Sequence, residues 1–194
     1  LAYFGSKRVA KIAKAGVQLL AGIPSVVYGF FGLVVLVPFI RENFGGTGQS
    51  ILCASIVLGI MILPTIITLS ESALKAVPKA YYEGALALGA DHERTIMRVM
   101  LPAAVSGVLA SIILAIGRAI GETMAVIMIA GNQVQLPDAI TDGIRTMTAN
   151  IVLEMGYAAD LHRGALIGTA CVLFVFILII NFAFAALKKR SKNG

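Results

Sequence analysis

Four stretches of this chain, 17–40, 50–70, 102–130 and 165–187, are each long and apolar enough to cross a lipid bilayer as a helix. A hydrocarbon core about 30 Å thick needs roughly 20 largely apolar residues in a helix. Lipid offers no partner to backbone N–H and C=O groups, so spanning segments of this kind satisfy them internally, as helices. A soluble all-α domain is the competing class. Charged residues make up only 13% of the chain against 58% hydrophobic, and the mean hydropathy is +0.90, well outside the usual soluble mixture. The expected fold class is therefore an all-α integral membrane protein. Residues 1–194 read as one membrane domain, with a polar segment at 71–101 and a longer polar loop at 131–164.

Charge placement predicts the orientation. Lys7, Arg8, Lys11 and Lys14 precede the first span; Lys75, Lys79, Arg94 and Arg98 separate the second from the third; Lys188, Lys189, Arg190 and Lys192 follow the fourth. The other two connections hold Arg41, Arg145 and Arg163. Under strict alternation the positive-inside rule makes the basic side cytoplasmic, with both ends of the chain there. The net charge of +6 then reflects topology. Nucleic acid is not an expected partner, because the basic residues are spread over three loops and form no single footprint.

Local punctuation fits this layout. Pro24, within Gly22-Ile23-Pro24-Ser25, should kink or break the first span, and Pro64 should do the same late in the second. Ser50 is a candidate N-cap. The Gly45-Gly46-Thr47-Gly48 run lacks the GxxxxGK[ST] spacing of a phosphate loop and reads as a flexible outer turn. Ile140, Ile144, Met147 and Ile151 recur at helical spacing after Asp138, which predicts an amphipathic helix in the outer loop. Cys53 and Cys171 fall in different spans with no ligand-like neighbours, so both read as small buried hydrophobes and no metal site is expected.

The third span has two unusual features. Small residues recur every four positions at Ala103, Gly107, Ser111, Ala115 and Ala119, a stripe that lets another helix approach closely. Ordinary helix packing and a moving transport interface account for it equally well. Arg118 lies near the middle of the span, one helical turn before Glu122. A central Arg costs roughly 2.5–3.5 kcal/mol on insertion scales, so such residues mark pathways, relays or buried pairs. Arg followed by Glu four residues later is the less favourable order for a helical ion pair. The planar guanidinium suits bidentate contact with an oxyanion, and Gly117, Gly121 and Thr123 leave room beside it. A polar site in mid-membrane is the expectation, with a structural ion pair as the alternative.

The polar segment between the second and third spans carries Glu83-Gly84-Ala85, then Gly89, then Val99, Leu101 and Pro102. This pattern resembles the cytoplasmic signature of binding-protein-dependent ABC importer permeases, EAA-x3-G-x9-I-x-LP, with Gly84 and Val99 as its two departures. Three further runs resemble the phosphate importer permeases, and among them the C-type permease: residues 20–29, residues 85–90, and Gly117-Arg118-Ala119-Ile120-Gly121-Glu122-Thr123-Met124-Ala125-Val126. Such permeases have six membrane helices where four are read here, which implies the C-terminal two-thirds of a permease.

The resemblance implies a type I ABC importer permease bundle in a prokaryotic cell membrane. It implies a related second permease, two copies of a cytoplasmic ATPase and an external phosphate-binding protein as partners. The chain itself would be no enzyme and hold no cofactor, with ATP and magnesium bound by the ATPase. Ala80, Glu83, Gly84, Ala85, Gly89, Leu101 and Pro102 would couple to that ATPase, and Arg118, Glu122 and Thr123 would line the substrate pathway. The rival expectations are a permease for another oxyanion, such as sulfate or molybdate, and a channel or secondary transporter. A channel has no need of the docking pattern at 83–102.

Overall fold

The computed structural model describes residues 7–192; the side chains of Lys7 and of residues 187–192 lie outside the described set, and with them the basic cluster Lys188, Lys189, Arg190 and Lys192. Among the described residues regular structure is helical, apart from one isolated bridge between Gly131 and Ile144. The helices are α1 (Lys7–Gly22), α2 (Ser25–Phe31), α3 (Val37–Phe44), α4 (Ile51–Lys75), α5 (Lys79–Ala87), α6 (His92–Thr95), α7 (Leu101–Ile120), α8 (Met124–Ile129), α9 (Met147–Met155) and α10 (Asp160–Lys192). Two π-turns, Gly32–Leu36 and Ile96–Met100, fuse α2 to α3 and α6 to α7. Four helices are long and apolar enough to span a membrane: Ser25–Phe44, Ile51–Lys75, His92–Ile120 and Asp160–Ala186.

The expected span count holds, while the boundaries of three spans move most. The first span does not run through 17–40. Pro24 sits in extended conformation (φ −61°, ψ 144°) as the N-cap of α2, so α1 is a separate helix and the span starts at Ser25. The third span neither opens at Pro102 nor reaches residue 130. It opens at His92, where the Asp91 carboxylate accepts the Arg94 N–H at 2.6 Å, and ends at Ile120. The fourth begins at Asp160 instead of 165.

Pro102 sits inside a helix because of the π-turn before it. A proline ring clashes with the carbonyl four residues back and offers no N–H. The wider turn sends the Leu101 N–H to the Ile96 oxygen, five residues back. Pro38 follows its own π-turn at the same interval, with the Val37 N–H bonded to Gly32. Pro64, by contrast, lies within the uninterrupted α4.

The chain divides into two compact units. One holds residues up to Gly22, Leu63–Ile116, and those from Ala183 on. Its small core packs Val77, Met100 and Ala104 with Leu74 and Tyr82. Here the small-residue stripe of α7 seats the end of α4. A Cβ on Gly107 would lie 2.5 Å from that of Ala73, and Ser111 Oγ is hydrogen-bonded to Ser70 Oγ at 2.8 Å. Ala115 is fully buried, while Ala103 at the start of the stripe is exposed.

The other unit, Ile23–Ile62 with Gly117–Phe182, contains the larger core, including Tyr28, Ile40, Cys53, Val57, Met61 and Ile129. Two of the motif runs meet there. Gly29 of α2 lies so close to α8 that a Cβ would approach the Ala125 Cα to 2.8 Å. Ser50 caps α4 as expected, its Oγ accepting the Cys53 N–H. The expected helix through Ile140 and Ile144 is absent, and only Met147–Met155 is helical. The first amides of a helix lack partners within it, and here the loop supplies them: Ser50, Ile51 and Leu52 donate to the carbonyls of Ile129, Asp142 and Ile140. Carbonyls used in this way are unavailable for a helix of their own. The glycine turn is tied down as well. Gly45, Gly46 and Gly48 take positive φ, a Cβ on Gly48 would strike the Val37 carbonyl, and Arg41 Nε donates to Thr47 O. Cys53 is buried, but Cys171 is exposed. It belongs to α10, whose Val172, Phe174, Ile179 and Phe182 are also exposed.

Candidate functional site

Arg118 lies in the last turn of α7, so it is at the end of the spanning helix and not at its middle. A cation there is favoured by the helix dipole. Hydropathy alone could not show this end, because the apolar run resumes at Met124. The break comes from Gly121 together with Glu122, whose side chain starts the next helix. Glu122 Oε1 accepts the Ala125 N–H at 3.1 Å, so Glu122 belongs to the start of α8 and is not one α-helical turn beyond Arg118 on a common helix. The Thr123 hydroxyl donates to the Gly121 carbonyl at 3.2 Å.

Glu122 is also anchored from α9, its carbonyl accepting the Thr148 hydroxyl at 3.2 Å. It lines a recess of about 200 Å³ together with Ser55, Ala119, Val126, Thr146 and Thr148. Arg118 is exposed and lies outside that lining. The sequence reading missed Ser55, Thr146 and Thr148. Nothing in their spacing marks them, since the threonines reach the recess from the cap and first turn of α9.

The other group of sequence-derived residues clusters on α5. No residue of α5 is buried. Ala80, Glu83, Gly84 and Gly89 are exposed, and Ala85 is half-buried. The helix ends in a Schellman motif: Gly89 takes φ +85°, the Gly89 N–H reaches Leu86 O, and the Ala90 N–H reaches Ala85 O. A side chain on Gly84 or Gly89 would meet nothing within 4 Å, so the surface is open on both. Tyr82 Oη lies 2.7 Å from His92 Nδ1, joining α5 to α6. Leu101 and Pro102 follow the π-turn and are also exposed.

A third cluster had no counterpart in the sequence reading. Arg145 Nη1 donates to Glu154 Oε1 at 2.7 Å and its Nε to the Asn132 carbonyl at 3.1 Å. The Tyr157 hydroxyl, and after it Arg145, holds the Glu154 carboxyl below the usual carboxylate range, and the same contact pushes the Tyr157 phenol up. The only signal in the sequence was an Arg and a Glu in one polar loop. Among the described residues no group of three His, Cys, Asp or Glu could hold a metal ion.

Comparison with known proteins bears on the family of the chain. The profile of the family described as binding-protein-dependent transport system inner membrane component matches residues 1–193. A probable ABC transporter permease protein, YqgH of Bacillus subtilis, is 43% identical over 179 residues, 89% of this chain and 58% of that protein. The phosphate transport system permease protein PstC of Haemophilus influenzae is 33% identical, over 90% of this chain and 61% of its own length. PstC 2 of Mycobacterium tuberculosis is 32% identical over all of this chain and 66% of its own length. The chain thus spans less than two-thirds of these relatives. A solved chain of the MetNI methionine ABC transporter, in inward-facing conformations, superposes with a TM-score of 0.72 over 94% of this chain and 76% of its own, at 22% identity, which shows the type I importer permease fold. With the family profile running along essentially its whole length, this multi-pass membrane chain belongs to the binding-protein-dependent transport system inner membrane components, the permeases of ABC importers.

Proposed function

We propose that this chain is the permease subunit of an ATP-driven importer of inorganic phosphate, acting with a second permease, two ATPase subunits that bind ATP and magnesium, and an external phosphate-binding protein. The observation that carries the reading is the unbroken helix His92–Ile120, with α5, no residue of which is buried, beside its start and Arg118 in its last turn. In this reading α5 seats on the ATPase, at the cytoplasmic side where both chain ends also lie. Closure of the ATPases moves the helix as a lever, and a two-state rearrangement opens the pathway to each side in turn. The relatives named as phosphate permeases supply the substrate.

Arg118 would offer donors to the oxyanion, and Glu122 would discriminate. Phosphate near neutral pH keeps a proton that the Glu122 carboxylate can accept as a hydrogen bond, whereas sulfate has none and meets only like charge. The test is labelled-phosphate uptake by the full-length permease, copurified with its ATPase and competed with excess sulfate. Arg118→Gln should abolish uptake with assembly intact. Glu122→Gln should lose discrimination more than transport. If sulfate still fails to compete in Glu122→Gln while phosphate uptake persists, Glu122 is a structural cap and selectivity lies elsewhere. Uptake of sulfate or molybdate in place of phosphate by the unmodified complex overturns the substrate reading.

A further inference from the structure

α1 is a 16-residue helix with several basic residues and no acidic one. Its two sides differ. Ala10, Ala13, Gly16 and Val17 are half-buried, whereas Arg8, Ile12, Ala15 and Leu19 are exposed. The second set follows the i, i+4, i+7, i+11 spacing of one helical face, bordered by the exposed Lys11. Ile12 is 73% exposed and Leu19 74%, so the chain leaves uncovered a face that is basic at its start and apolar along its length.

The height of this helix is fixed. Lys14 Nζ pairs with Glu71 Oε1, and Lys75 Nζ pairs with the same oxygen at 2.7 Å. Glu71 stands one turn before the end of the α4 span at Lys75. The middle of α1 is therefore held at the level where an apolar membrane helix gives out, which in a bilayer is the boundary between acyl chains and headgroups. Apolar side chains placed there bury in the outermost acyl layer, and neighbouring Arg and Lys reach the phosphates, as in helices that lie in the interface plane.

We propose that α1 is an interfacial anchor whose exposed face, Arg8, Lys11, Ile12 and Leu19, lies in the bilayer surface and selects anionic phospholipid headgroups. The charge of the face complements such lipids. The selection is independent of the transported substrate.

The experiment uses the full-length permease complex in nanodiscs of mixed phosphatidylcholine and phosphatidylglycerol, in a Cys171→Ala background. A fluorophore is attached at Ile12→Cys, Leu19→Cys or Lys11→Cys, and quenching is read from aqueous iodide and from brominated acyl chains carried on either lipid. Labels at positions 12 and 19 should be quenched by brominated lipid and protected from iodide, while the label at 11 stays open to iodide. Brominated phosphatidylglycerol should quench at position 12 beyond its mole fraction, on the order of fivefold per basic residue engaged. Arg8→Gln with Lys11→Gln, or high salt, should erase that preference. Iodide access at 12 and 19 overturns the interfacial placement. Shielding from both quenchers shows a protein covering the face and overturns it equally. Equal quenching by the two brominated lipids sinks the headgroup selection.

Discussion

Gly89 and Gly131 do the same backbone job in opposite surroundings. Each stands just past a helix, α5 or α8, at φ +85°, a conformation that L side chains resist by roughly 1–2 kcal/mol. A Cβ on Gly89 would meet nothing within 4 Å, whereas one on Gly131 would lie 3.0 Å from Gly143 Cα and 3.1 Å from the Gln49 carbonyl. The two polar connections they open differ in the same way. The one at 76–91 presents a helix with no buried residue. The one at 130–159 is laced to the core, with the Leu52 N–H on Ile140 O at 2.9 Å and the Ile51 N–H on Asp142 O at 3.0 Å. Of two polar connections, one thus carries a helix with no buried residue and the other is hydrogen-bonded to the start of α4.

The sharpest way to break this contrast is to substitute both glycines. Gly131→Val combines left-handed strain with overpacking and should cost about 3 kcal/mol, read as thermal unfolding of the full-length permease in detergent. Gly89→Val should carry the strain alone, insert normally, and lose uptake by failing to seat α5. Equal destabilisation by the two substitutions would show that the surroundings of Gly131 are slack. Wild-type uptake and ATPase stimulation in Gly89→Val would end the coupling assignment.

The caps sharpen the comparison at a smaller scale. Asp91→Ala removes the 2.6 Å bond to the Arg94 N–H and should cost about 1 kcal/mol, seen as faster amide exchange over His92–Thr95 with little global change. Thr146→Ala, whose bond to the Ala149 N–H is 3.3 Å, should be felt beyond α9 because Thr146 also lines the Glu122 recess. Exchange confined to α9 would contradict that. The smallest effect concerns acid. The Glu154 carboxyl is depressed, so its contribution is present above the ordinary Glu value and is lost as pH falls through the depressed one. A fluorophore at Val134→Cys should gain mobility over that range, and Glu154→Gln should give the mobile state at every pH.

Hydropathy made the four spans legible, because each segment must meet lipid whatever it packs against. The Ser50 cap was readable for a similarly local reason, a hydroxyl at the start of an apolar run. Boundaries failed where a backbone device overrode composition. Pro24 shortened the first span, the Ile96–Met100 turn let Pro102 sit inside a helix, and Gly121 with Glu122 ended α7 inside an apolar stretch. Ile140 and Ile144 misled because the carbonyls around them serve α4, a long-range demand that periodicity cannot express. Of the candidate site, the identity of Arg118 and Glu122 was readable and their placement was not. Ser55 and Thr148 became visible only once the chain was folded.

The two π-turns each hold one residue more than the α-turn they replace. Each therefore works as a one-residue insertion that a helix has absorbed without turning the residues beyond it out of phase. Gly32–Leu36 precedes Pro38 and Ile96–Met100 precedes Pro102 at the same interval, so insertion and proline behave as a matched pair, each making the other tolerable. Shortening Ile96–Met100 by one residue would restore regular winding only to drive the Pro102 ring against a carbonyl. The helix would then have to bend at that point. Chain length at this place, and not side-chain identity, sets the course of the helix.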